Sequence, residues 1–145
     1  MTSVAVDAGD VVARVLGYRS VDELKQGGED SAYRLAFLLN LPGSTLESLQ
    51  VLRQVIYLVV EEAQVPSMRD TAELVEENDR VAGSATPMDD EMRSAAARGF
   101  GVADGVDSVE AVYQVCSRAT TFLFKSLIVA RGELDRNPLP GSSSI

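Results

Sequence analysis

Carboxylates carry almost all the acid–base and ligand chemistry open to this chain, because histidine is absent. Its absence removes the usual general base near neutral pH, any Ser-His or Cys-His nucleophile pair, and the commonest transition-metal ligand. The acidic groupings that remain are Glu61-Glu62, Asp89-Asp90-Glu91 and the spaced set Asp104, Asp107 and Glu110. A di-iron bundle needs Glu-x-x-His motifs on facing helices, and Glu61-Glu62 has no such companion. It reads as the solvated end of a helix. Asp89-Asp90-Glu91 offers oxygens to a hard cation, but a first helical turn favours acidic residues without any ion. Asp104, Asp107 and Glu110 depart from the alternating ligand positions of a calcium loop.

Cys116 is the single cysteine, so no disulfide forms within the chain and a reducing, cytoplasmic setting is expected. It lies on the apolar side of a helical pattern, where a thiol packs as a small hydrophobe. Gly99 to Gly105 holds closely spaced glycines after a helix rather than after a strand, which reads as a helix cap and turn instead of a dinucleotide loop. Gly27-Gly-Glu-Asp30 is similar over these residues alone to the signature of diguanylate cyclases. That family requires a larger α/β domain with strands, and strand signals are nearly absent here. The chain therefore reads as a non-enzyme with no catalytic, metal-ligating or cofactor-binding residues.

The elements follow from helical periodicity and capping signals. The fold class is all-α: a single-domain bundle of about six to seven helices over residues 1–136, with an extended tail over 137–145. A first helix spans about Asp7 to Tyr18, with Val11, Val12, Val15 and Leu16 as its stripe and Gly17 ending it. Ser20-Val-Asp-Glu23 is a capping box opening a short helix through Gln26. Glu29 to Leu39 forms the next helix, carrying Ala32, Leu35, Ala36, Leu38 and Leu39 until Pro42-Gly43. Ser44-Thr-Leu-Glu47 is a second capping box and opens the first of two central apolar helices, residues 44–64. Pro66-Ser67 separates it from a thin outer helix, Met68 to Ala82. Thr86-Pro87 starts another, with Met88, Met92, Ala95 and Ala96 facing inward. Asp107-Ser-Val-Glu110 opens the second central helix, residues 107–135, whose stripe runs Val109, Val112, Cys116, Ala119, Leu123, Leu127 and Ala130.

With 46% hydrophobic and 24% charged residues the composition is globular. A net charge of -9 makes nucleic acid and anionic lipid poor partners. A helix-turn-helix reading of Val11 to Leu24 places Ala13 and Gly17 well, but its spacing is off by one and Asp22 and Glu23 would face the phosphates. The longest apolar run, Ala119 to Ala130, is broken by Lys125 and too short to span a bilayer. The N-terminal residues lack the basic and apolar regions of a signal peptide.

Two helices apolar on nearly every face exceed what thin neighbours can cover, so a partner chain is the expected cover. The function expected is a non-enzymatic protein-interaction module: a homo-oligomer or a structural subunit of a larger assembly. The candidate interface is Tyr57, Tyr113, Phe122, Phe124, Leu127 and Ile128. Two alternatives stand beside it: a small-molecule-binding sensor or carrier with a pocket between the central helices, and an acidic regulator of a basic partner acting through Glu73, Glu76, Glu77, Asp89 and Asp90.

Overall fold

Every regular element is helical in the computed structural model, which describes residues 7–42, 44–65 and 70–136, with side chains as far as Gly132 in the last helix. The helices are α1 (Ala8–Val15), α2 (Val21–Gln26), α3 (Glu29–Leu38), α4 (Leu46–Tyr57), α5 (Thr71–Ala85), α6 (Asp90–Gly99) and α7 (Ser108–Arg136), and α4 runs on into a π turn over Leu58–Glu62. The tail 137–145, the separator Pro66-Ser67 and Met68 lie outside the described residues.

The two long apolar helices are central, as expected. Helix α4 packs against α3, α5, α6 and α7, and α7 against α1, α4, α5 and α6. Their inward stripes, Leu49, Leu52, Val55, Ile56 and Val59 on one and Val112, Cys116, Ala119, Leu123 and Leu127 on the other, join a single buried cluster. The thinner helices close it with smaller residues: Val11, Val12 and Ala13 from α1, Val81, Ala82 and Ala85 from α5, and Ala96 and Ala97 from α6.

Local signals set most helix ends. The Ser20 hydroxyl accepts from Glu23 N (3.2 Å), while the Glu23 carboxylate accepts from Arg19 N rather than from Ser20 N (3.2 Å). Helix α1 ends at Gly17 in the left-handed region (φ +86°), with Tyr18 N bonded to Ala13 O. Helix α3 ends the same way at Asn40 (φ 57°), with Leu41 N bonded to Ala36 O, and the Arg118 guanidinium from α7 donates to Leu39 O.

Two starts differ from the sequence expectation. Helix α4 is capped by Thr45, not Ser44, because the Thr45 hydroxyl accepts from Ser48 N (3.1 Å) and donates to Ala95 O (3.2 Å), tying α4 to α6. Thr86 does not open α6. Helix α5 absorbs Gly83 and runs to Ala85, and Thr86, held extended ahead of Pro87, closes it by donating to Ala82 O (2.8 Å). Asp89 becomes the α6 cap, which leaves Met88 92% exposed instead of inward. Val109 is exposed because it sits in the first turn of α7, where the Asp107 carboxylate accepts from its N–H. The π turn is also new: Ala63 N reaches Leu58 O (2.7 Å), and the extra residue turns Leu58 and Val59 both inward.

Candidate functional site

Two surface features stand out among the described residues: the outer face of α3 and a groove beside the π turn. Helix α3 is apolar on two sides. Ala32, Leu35, Ala36 and Leu39 face the core, while Tyr33, Phe37 and Leu38 face outward, Phe37 at 84% exposure. Tyr33 and Phe37, four residues apart, lie on one strip, and Leu38 flanks it one residue on. Beside the projecting Phe37 ring lies an open hollow of about 360 Å³ bounded by Leu16, Tyr33, Arg34 and Leu38.

Among the described residues, the one charged side chain bounding that hollow is already engaged. Arg34 Nε pairs with Asp30 Oδ2 (2.9 Å), its Nη1 donates to Leu16 O (3.0 Å), and the guanidinium stacks 4.1 Å from the Tyr18 ring centroid. Tyr18 Oη donates to the same Asp30 Oδ2 (2.6 Å). Burial first, and the Asp30 carboxylate second, push the Tyr18 hydroxyl up to about 12. The hydrogen bond from Tyr18 holds the Asp30 carboxyl below its ordinary range. The Arg34–Asp30 pair is thereby neutral at the centre of the strip, with the exposed Glu29 one turn before Tyr33.

The groove has about 300 Å³ of space between α2, α3 and the α4–π segment, with Leu24, Val60 and the Tyr57 ring as apolar lining. Lys25 Nζ pairs with Glu61 Oε1 across it (2.7 Å), which raises the lysine pKa. Arg53 lines the same groove and has no hydrogen bond or ion pair among the described residues. The π turn that presents Val60 and Glu61 is clamped from α5. Glu77 accepts from Gln64 N (3.0 Å) and from Arg80 Nε and Nη2 (2.8 Å each), and Arg80 Nη2 reaches Glu62 O (3.4 Å).

The residues singled out from sequence scatter. Phe124 and Leu127 are core residues, each 2% exposed, and offer no outward surface. Tyr113 and Phe122 are half-buried, and Tyr113 Oη donates to Asp79 Oδ1 (3.0 Å) along the α5–α7 seam. Burial, then that hydrogen bond, raises the Tyr113 pKa. Ile128 is exposed on α7, and Tyr57 belongs to the groove, away from the others.

Neither a family model, a curated protein nor a solved structure matches this chain.

The acidic set is largely structural. Glu73 and Glu76 are exposed on α5, but Glu77 is turned inward on Arg80, Asp89 caps α6 through Glu91 N and Met92 N, and Asp90 pairs with Arg93. The Arg80 guanidinium, then Gln64 N, holds the Glu77 carboxyl below its ordinary range despite burial. Burial pushes the Cys116 thiol up to about 11, so it is protonated at neutral pH. No three of the described Cys, Asp or Glu residues converge as a metal would need, and no described helix is long and apolar enough to cross a membrane. Tyr33, Phe37 and Arg53 were not singled out by sequence, and Leu38, expected in the inward stripe of α3, is exposed because it lies one residue round from Phe37. Tyr33, Phe37 and Leu38 carry a legible signal, a second apolar strip interleaved with the inner one.

Proposed function

We propose that this chain is a non-enzymatic helical interaction module that pairs with a second copy of itself through the outer face of α3. One observation carries the reading: Phe37 projects, 84% exposed, at the wall of a hollow that it shares with Leu16, Tyr33, Arg34 and Leu38. A knob next to a hollow on one face is self-complementary under a two-fold axis, since each copy's Phe37 can enter the other's hollow. Low local charge favours the same occupant. The net charge of -9 makes copies repel elsewhere, whereas at the α3 strip Arg34 is paired with Asp30 and the unpaired charge among the described residues is Glu29, one turn before Tyr33.

The expected strength follows from exposure. Burying one large apolar side chain is worth about 1.5–3 kcal/mol. Covering Phe37 and the half-exposed Tyr33 and Leu38 on both copies gives roughly 5–11 kcal/mol gross, from the same per-side-chain range. Lost translational and rotational freedom opposes this by about 4–15 kcal/mol, so pairing is weak and concentration-dependent. The contact is therefore placed in the transient rather than the obligate class.

Phe37→Asp tests the reading by light scattering at high concentration. The variant should stay monomeric where the parent forms dimer, with an unchanged melting temperature in dilute solution because Phe37 is outside the core. A variant that associates as the parent does removes α3 from the contact.

A further inference from the structure

We infer that the groove beside the π turn binds a small amphipathic anion, a carboxylate carried on an apolar or aromatic body. The groove unites three properties. Its lining is apolar, formed by Leu24, Val60 and the ring of Tyr57. Its cations outnumber its anions, since Lys25 is neutralised by Glu61 and Arg53 has no partner among the described residues. Its space of about 300 Å³ sits at the small end of ligand cavities, which admits a ligand the size of a single ring with a short acid chain.

The chemistry of each part defines the ligand. A guanidinium forks onto a carboxylate with paired N–H donors, and such charge-assisted contacts are the strong ones. The Tyr57 ring and the two aliphatic residues take the body, and the Tyr57 hydroxyl leaves a polar rim. Cations are disfavoured by Arg53. A neutral ligand of the same shape loses the carboxylate contact while keeping the apolar one, so charge is what the site reads. The π turn matters because its added residue brings Val60 and Glu61 to the groove while Leu58 and Val59 stay in the core. This inference stands on different residues from the α3 contact and does not depend on it.

The test uses the full chain, labelled with ¹⁵N, titrated with 4-phenylbutyrate and with its neutral amide. A ligand this small in an open groove should bind with a dissociation constant of about a millimolar. Amide shifts should map to residues 24–31 and 53–61, and the neutral amide should bind about tenfold more weakly, as loss of one charge-assisted contact implies. Arg53→Gln should bring the acid down to the level of the neutral amide without changing the melting temperature, because Arg53 is an exposed side chain. Equal binding of acid and amide overturns the inference, as does an Arg53→Gln variant that keeps the parent's preference or shifts that map elsewhere.

Discussion

Two glycine-to-alanine substitutions should move stability in opposite directions, and their contrast tests the packing that holds α4 and α6 together. An ideal Cβ built on Gly99 lies 2.6 Å from Ser48 Cβ and closer still to the hydroxyls of Ser48 and Thr45. Carbon pairs sit comfortably at about 3.5–4.0 Å, so α6 must move away or α4 must give. Neither shift is easy, since Thr45 caps α4 while donating to Ala95 O on α6. Crowding of this kind costs about 1–3 kcal/mol, and a strained cap adds up to about 1. Alanine's better helix propensity returns at most about 1 kcal/mol. Gly99→Ala should therefore lose about 1–3 kcal/mol, a melting-temperature fall of about 3–10 °C for a chain of this size. Gly83 is the control: it lies inside α5 with nothing within 4 Å of its would-be Cβ. Gly83→Ala should gain about 0.5–1 kcal/mol. Urea and thermal unfolding followed by circular dichroism read both. A Gly99→Ala protein as stable as Gly83→Ala would refute the close α4–α6 approach.

Glu77→Gln should cost about 1–3 kcal/mol at pH 7 by chemical unfolding, because it weakens charge-assisted contacts to Arg80 and Gln64 N. The folded Glu77 carboxyl lies below its ordinary 4.5, so its contribution is complete above that value and is lost as pH falls through the lower, folded pKa. The gap between parent and variant should thus close on acidification below about pH 4.5, and a gap that persists there would point to shape rather than charge. Cys116, buried and with its pKa near 11, should resist maleimide at pH 8 until denaturant opens the core; rapid labelling of native protein would contradict its burial. Phe124→Ala should lose about 3–5 kcal/mol in urea, whereas Ile128→Ser should stay within about 0.5. Equal losses would mean that α7 is not seated as described.

Periodicity and caps made the helices legible, because both are local. Gly17 and Ser20 mark ends that depend only on neighbours in sequence. Choices between adjacent capping residues were not legible, because tertiary contacts decide them: Thr45 prevails over Ser44 through Ala95 O on α6. The π turn was hidden, since an added residue leaves the apolar run 44–64 looking continuous. The surface was the least legible part. All-round apolar character in α7 reads as a need for a partner, yet α1, α4, α5 and α6 surround it and bury Phe124 and Leu127. The outward strip lies instead on α3, where Tyr33, Phe37 and Leu38 interleave with the inner residues: Leu38 reads as part of the core stripe, and Tyr33 and Phe37 fall between its members. Burial depends on which neighbours fold back onto a helix, and that information is nonlocal.

The central claim is self-pairing through a closed, two-fold contact on α3, and the solution mass of the parent chain tests it most directly. Multi-angle light scattering over a hundredfold concentration range, reaching about millimolar because the contact is weak, should show the average mass rising from the 15.5 kDa chain mass towards twice that value and no further. A mass that stays at one chain throughout, or climbs past two, contradicts the account.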